Sequence, residues 1–224
     1  MIWHLLQETP GHKFSGKPGF NRCQLYLAEK VFVKIKTTYM KGLIIYKSKY
    51  GATTQYADWL GADLGLPVYS TEKADSQELQ AADYVLIGSS VYIGRLLIKK
   101  WLRKNIAILK NKKLFLFVVC GGGATDKQQQ EAIINTNLPA ILSSQCDVYF
   151  MPGRLDIKKL SWTDKWKLRL GAALEKDPLK KNAMRNGVDA VAKYQIAGLV
   201  RSVSLFASNE ENISKLTARE IPAQ

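Results

Sequence analysis

Residues 42–54 read Gly-Leu-Ile-Ile-Tyr-Lys-Ser-Lys-Tyr-Gly-Ala-Thr-Thr, and no other stretch restricts the possible folds as tightly. A short apolar, β-branched run (43–46) ends in a loop carrying hydroxyls and a glycine. An amphipathic stretch follows from Thr53, with Tyr56, Ala57, Leu60 and Leu64 at helical spacing. A strand that turns sharply into a helix leaves backbone N–H groups at the helix N-terminus facing the loop. Those donors, the helix dipole and the hydroxyls of Ser48, Thr53 and Thr54 suit a phosphate. An ordinary βα turn with a Ser/Thr cap has the same local sequence, so the rest of the chain has to decide between them.

The strand–helix alternation continues. Further strands are predicted at 67–69, 83–89, 114–120 and 147–151, and helices at 53–64, 76–81, 95–108 and 127–135. A last long helix is predicted from about residue 182 past 197. Continuous apolar strands separated by helices imply a parallel sheet covered on both faces. The expected fold is a small doubly wound α/β domain with a five-stranded parallel sheet in the order 2-1-3-4-5. Ligands of such sheets bind beyond the carboxyl ends of the strands, at the topological switch point.

Three loops meet there. The first is 47–54. The second holds Gly88, Ser89, Ser90, Val91, Tyr92, Ile93 and Gly94, and the third Cys120, Gly121, Gly122, Gly123, Ala124, Thr125 and Asp126. The glycines let backbone approach a ring closely. Tyr92 can stack on an aromatic system, and Ser89 and Ser90 can hydrogen-bond its edge. Alone, Tyr92 reads more readily as a half-buried loop aromatic, and the three glycines as a flexible turn. Their joint occurrence at successive strand ends favours one planar, phosphate-bearing ligand. Neither a Gly-Lys-Ser/Thr phosphate loop nor a Gly-x-Gly-x-x-Gly dinucleotide loop follows the first strand.

Composition narrows the class further. A chain of 224 residues, 46% hydrophobic, can bury one sizeable core. No apolar run reaches eighteen residues, and the N-terminus has no signal-peptide pattern. Cys23, Cys120 and Cys146 are odd in number and widely spaced, which suits a reducing compartment and gives no metal-ligand pattern. His4 and His12 both lie near the N-terminus, so a histidine-based mechanism in the core is excluded. Residues 1–39 mix Pro10, Gly11, Gly16, Pro18 and Gly19 with scattered lysines and hold no period. They are expected to be an irregular extension upstream of a start at Met40, not part of the native protein. The domain is expected over 40–207, with a polar tail at 208–224 and a cytoplasmic location, peripheral at the inner face of the membrane.

The charge is unusual. The formal net charge is +14, and from Met40 onward 27 basic residues face 17 acidic ones, a net +10. Eight basic residues and no acid fall between Arg95 and Lys113, interleaved with Leu97, Ile98, Trp101 and Leu102. Residues 153–181 hold nine basic and four acidic residues with Trp162 and Trp166, where a minimal domain needs only a short connection. The first stretch reads as a docking face for an anionic membrane surface or as a solvated helix packing its apolar side on the sheet. The second suits a carboxylated tetrapyrrole or a quinone at a membrane surface, or reads as an amphipathic helix closing the sheet edge.

With those residues in place, the chain from Met40 to about Val200 resembles a flavodoxin-like domain. Within that group it is most similar to the type that includes menaquinone-dependent protoporphyrinogen oxidases. The similarity is carried by Leu-Ile-Ile-Tyr-Lys-Ser-Lys-Tyr-Gly-Ala-Thr-Thr, Gly-Ser-Ser-Val-Tyr-Ile-Gly-Arg-Leu, the Leu-Phe-Leu-Phe-Val-Val-Cys strand, and the 155–167 stretch of the insertion. The resemblance implies FMN. By position its phosphate falls to Ser48, Lys49, Tyr50, Gly51, Ala52 and Thr53, and its ring to Ser90, Val91, Tyr92, Ile93, Gly94, Cys120, Gly121, Gly122 and Gly123, with Ser89 available to the ring edge or ribityl chain. Flavodoxins usually carry Thr or Ser where Tyr50 stands, so one hydroxyl ligand is lost or replaced. No catalytic acid–base residue stands out, since the flavin carries the chemistry.

Three functions fit this reading. An FMN oxidoreductase would pass electrons to a quinone or similar acceptor, with protoporphyrinogen oxidation as the specific form. A non-catalytic electron carrier would use the same cofactor, although shuttling flavodoxins are typically acidic around the flavin and this chain is basic. A basic lipid- or nucleic-acid-binding protein would keep the fold without flavin, and the three intact loops argue against it. Nucleic acid is not an expected partner, and the oligomeric state is left open.

Overall fold

The computed structural model describes residues 40–121 and 126–219. The extension 1–39, Gly122, Gly123 and the last five residues of the predicted tail lie outside the described residues.

Strand β1 (Gly42–Lys47) leads into helix α1 (Ala52–Leu64) and strand β2 (Val68–Ser70). Helix α2 (Ser76–Ala81) precedes β3 (Tyr84–Tyr92), which folds back through a tight turn into the short β4 (Arg95–Leu96). Helices α3 (Lys99–Lys104) and α4 (Ile106–Leu109) lead to β5 (Lys113–Cys120), and α5 (Lys127–Asn137) and α6 (Ala140–Ser143) to β6 (Cys146–Pro152). The main path of the sheet runs β2-β1-β3-β5-β6, all parallel, with β4 antiparallel to β3. In order of the parallel strands this is the expected 2-1-3-4-5.

Both faces of the sheet are covered. On β5, Leu114, Leu116 and Val118 join Leu79, Leu102, Leu109 and Leu142 from α2, α3, α4 and α6. Phe115, Phe117 and Val119, pointing the other way, join Tyr56 and Leu60 of α1 and Leu199 and Val203 of the C-terminal helix. The alternation along one fully buried strand is why it reads as an unbroken apolar run.

Three element assignments differ from the sequence expectation. The predicted helix 95–108 opens instead as the β3–β4 hairpin, and then breaks at Asn105. Its turn is Ile93–Gly94, both with positive φ (48° and 69°), the backbone that a two-residue hairpin requires. A β-branched residue carries no sequence signal for that conformation. The predicted last helix from 182 is two separate pieces: α8 (Pro178–Asn186) stops at Gly187, whose φ of +83° and N–H bond to the Ala183 carbonyl (2.9 Å) end the helix. A Cβ at Gly187 would lie 2.7 Å from the Leu155 carbonyl oxygen, so the stop also lets the chain pass close to the insertion's first strand. The true last helix, α9 (Ala197–Arg219), starts later and continues through much of the stretch read as a polar tail, which is rich in good helix formers.

The exposed Ile93 side chain gains little from burial to offset its left-handed backbone. Ile93→Asn is expected to stabilise the protein by about 1 kcal/mol. The denaturant midpoint checks this, and a lower midpoint in the variant would refute it.

Candidate functional site

The β1–α1 loop is shaped by glycine. Gly51 caps α1 in the left-handed region (φ +87°) without a side-chain cap bond, and its own N–H donates to Ser48 Oγ at 3.1 Å. The first-turn N–H groups of Ala52, Thr53 and Thr54 thus face the loop at the positive end of the helix dipole. Lys49 extends from the same loop. The donor set is that of an anion site.

The second loop is less of a loop than its sequence suggests. Ser90, Val91 and Tyr92 continue β3, while Ile93 and Gly94 form the exposed hairpin turn. Ser89 is fully buried: its hydroxyl donates to the Ser90 carbonyl (3.0 Å) and accepts from the Ile98 N–H (3.3 Å). Thr53 is also fully buried, and its hydroxyl shares a 2.8 Å hydrogen bond with Ser90 Oγ, tying the first loop to the second. From the third loop, Cys120 is buried at the end of β5 and Gly121 is exposed; apart from its chain neighbours, no atom of the described residues lies within 4 Å of where a Cβ at Gly121 would sit. Ser90, Tyr92, Cys120 and Gly121 line a cavity of about 80 Å³ together with Lys49 and Tyr50. All three loops therefore meet at one edge of the sheet, as the strand order requires. The hydroxyl and amide donors, the Lys49 cation and the open glycine backbone fit a phosphate-bearing planar group.

One site residue escaped the sequence reading. Asp164 lies in helix α7 (Trp162–Leu174) of the insertion, more than a hundred residues from the first loop. Its carboxylate accepts Lys49 Nζ at 2.6 Å and the Tyr50 hydroxyl on Oδ2, and the Tyr92 hydroxyl on Oδ1 at 2.5 Å. It is 6% exposed. The hydrogen bond from Lys49, followed by those from Tyr50 and Tyr92, holds its carboxyl well below the usual carboxylate range. Burial works against the charge of Lys49, but its hydrogen bond to Asp164 and the neighbouring Tyr50, Asp164 and Tyr92 raise its pKa overall. Lys49 Nζ also stands 3.7 Å from the Tyr92 ring centroid, and Lys167 Nζ donates to the Tyr92 hydroxyl at 3.1 Å. Tyr50, the departure from a Thr or Ser, thus directs its hydroxyl toward the insertion.

The insertion is anchored at its base. Strands β7 (Arg154–Leu155) and β8 (Val188–Asp189) pair antiparallel, and Arg154 joins Asp189 (2.7 Å) and Gln55 of α1 (3.0 Å). Beyond them α7 exposes Trp162, Trp166, Leu170 and Leu174, four residues apart along one face. The basic helix α3 does the opposite with its apolar residues. Leu102 and the N-cap Ile98 are fully buried in the core and Trp101 packs half-buried against it, so the exposed side chains of the helix are Lys100, Arg103 and Lys104. Lys100 and Arg103 border a second, larger cavity of about 750 Å³ beside Tyr92 and Ile93. It is lined by Arg95, Lys99, Lys100 and Arg103 over an apolar floor that includes Leu96 and Leu97.

A doubly wound sheet with an anion site and an open glycine edge at its switch point defines a binding protein for a phosphate-bearing planar cofactor. The family model described as flavodoxin domain matches residues 43–182, more than half of the chain, and the protein belongs to that family. FMN is its cofactor, and its chemistry is redox chemistry. None of the curated proteins matches the chain in sequence. Among solved structures, it is similar to a flavodoxin, WrbA-like protein from Agrobacterium tumefaciens, with 15% identity over 65% of this chain and 98% of that one and a TM-score of 0.40. It is similar also to oxidised flavodoxin 1 from Bacillus cereus, with 17% identity over 59% and 95% and a TM-score of 0.39. Rubredoxin oxygen:oxidoreductase from Desulfovibrio gigas shares 15% identity over 79% of this chain and 42% of that one, with a TM-score of 0.36. Among the described residues, no helix is long and apolar enough to cross a membrane.

Proposed function

We propose that this flavodoxin-domain protein is an FMN-dependent oxidoreductase. It takes electrons from an apolar, carboxylate-bearing substrate, protoporphyrinogen in the specific form, and delivers them to a quinone-like acceptor at an anionic membrane surface. The phosphate is assigned to Ser48, Lys49, Tyr50, Gly51, Ala52 and Thr53, and the ring to the second and third loops. Bound flavin supplies the redox chemistry, accepting a hydride or electrons and passing them on. The protein binds, orients and sets the local charge. Ser90, Tyr92 and the Cys120–Gly121 backbone border the ring position, and no acid–base side chain is required.

The observation that carries this reading is the basic cavity beside Tyr92. Arg95, Lys99, Lys100 and Arg103 ring an apolar floor next to the flavin loops, which complements a molecule that is apolar in its body and anionic at its edge. Lys99 also donates to the Thr136 carbonyl at 2.6 Å, so Lys100 and Arg103 are the freer cations to test. The FMN-loaded protein is expected to oxidise protoporphyrinogen with a menaquinone analogue. Lys100→Glu/Arg103→Glu is expected to raise KM for the carboxylated substrate by about 30-fold, leaving FMN affinity near the wild-type value. No turnover of protoporphyrinogen by the loaded protein would refute the specific reaction. Reversible reduction by a reductase without turnover of any small substrate would establish the carrier instead.

A further inference from the structure

We propose that Asp164, supplied by the insertion, is a positioning residue of the flavin site, holding Lys49, Tyr50 and Tyr92 in the orientations from which they face the cofactor. The proposal rests on the assignment of FMN to the first and second loops.

Position supports it. Lys49, Tyr50 and Tyr92 all line the cavity of about 80 Å³ between the loops, whereas Asp164 is not among its lining residues. The carboxylate stands behind them and is 6% exposed. One group thereby binds two loops that are otherwise joined across their mouth by the Thr53–Ser90 hydroxyl pair. Its four lone-pair sites receive an ammonium and two phenols, and both oxygens are used.

Chemistry supports it too. Tyr92 is the aromatic ring of the second loop, attached to the end of a strand and next to a strained turn. Its free rotation is removed at both ends, by Asp164 and Lys167 at the hydroxyl and by the Lys49 ammonium over the ring. A fixed ring pays no ordering entropy when a planar ligand stacks on it. Asp164 is itself fixed by the fold: it sits in the first turn of α7, where the helix dipole favours a carboxylate, and its N–H donates to the N-cap Ser161 Oγ at 3.2 Å. The insertion is in this view a part of the cofactor site as well as a neighbour of the substrate.

The test is FMN binding to the full chain, followed by flavin fluorescence and the visible spectrum. Asp164→Asn is expected to weaken FMN by about 10- to 100-fold, the range for loss of hydrogen bonds to a charged group. Bound FMN should then be less quenched, because Tyr92 is no longer held. Tyr92→Phe, which removes one donor and leaves the ring, should give a smaller loss on the wild-type background and little further loss when combined with Asp164→Asn. Asp164→Glu should recover part of the affinity. Equal FMN affinity in the wild type and Asp164→Asn, with or without a lower apo melting temperature, overturns the proposal. Tighter FMN binding in Asp164→Asn overturns it as well, since the carboxylate would then be competing with the phosphate for Lys49. A wild-type protein that binds no FMN overturns both the loop assignment and this proposal, and so differs from failure of the proposal alone.

Discussion

Phe117→Ala is expected to lower the unfolding free energy by about 3–5 kcal/mol, the range for removing a fully buried aromatic ring. Phe117 lies midway along β5, beside the central strand β3, with no exposed surface, and is paired in register with Gly88 of β3. A Cβ built on Gly88 would sit 2.2 Å from the ring's Cζ, so the ring occupies the space that a side chain at 88 would take. The reverse substitution, Gly88→Ala, therefore overpacks the same site and is expected to cost about 1–3 kcal/mol. Combined with Phe117→Ala it should cost less than the sum, because the new methyl group enters the space left by the ring. Urea unfolding of the two single variants and the double variant checks all three values. A loss below about 1.5 kcal/mol for Phe117→Ala, or strict additivity, would mean the ring is not seated on Gly88. The consequence reaches the site: β3 runs on from Gly88 to Ser90 and Tyr92, and β5 from Phe117 to Cys120. Weaker packing between these strands loosens the two loops that flank the ring position.

Gly88 also shows where sequence and structure part company. The sequence reading places it inside the predicted strand 83–89 and also at the opening of the second loop, because glycine beside two serines is a turn signal. In the fold it is a strand residue, kept small by an aromatic ring on the adjacent strand, and that ring is distant in sequence. The parts that were legible are those set by local period and by burial on both faces. The β1–α1 turn and the five parallel strands follow from apolar runs separated by amphipathic ones, while their order is that of the doubly wound fold to which such a pattern belongs. The parts that were not legible depend on a partner far along the chain or on an unfavourable local conformation. Ile93 gives no hint of a positive φ. Asn186-Gly187 does carry a helix-stop signal, which the strong apolar spacing beyond it obscured. Asp164 follows Ser161 by three residues, which reads as a helix N-terminus and accounts for an acid there without any role in a site. Only its meeting with Lys49, Tyr50 and Tyr92 gives it one.

Trp162→Ser/Trp166→Ser is expected to weaken binding to anionic vesicles by about 100-fold, taking roughly 1.5 kcal/mol for each ring that leaves water. The two rings are 75% and 59% exposed, so their removal leaves the core intact and the apo melting temperature close to that of the wild type. Leu170 and Leu174 extend the same face of α7, and Lys159, Lys167, Arg169 and Lys176 border it with exposed charge. An apolar stripe edged by cations is the pattern of a helix lying in the headgroup plane, and each cation near an anionic surface contributes about 1 kcal/mol. The same physics sets the controls. Wild-type binding should fall steeply with added salt and be weak on zwitterionic vesicles, since charge supplies the approach and the tryptophans the hold. The Lys100→Glu/Arg103→Glu variant should lose part of the charge contribution but keep the tryptophan contribution, because Trp162 and Trp166 stand on α7 and are untouched by changes in α3. Vesicle binding unchanged by the double serine substitution, or a wild type that binds neither kind of vesicle, would remove the membrane from the proposed function. Binding that needs both the stripe and the anionic lipid would place Asp164, between the two tryptophans on the same helix, where a membrane surface and the flavin loops are joined by one short element.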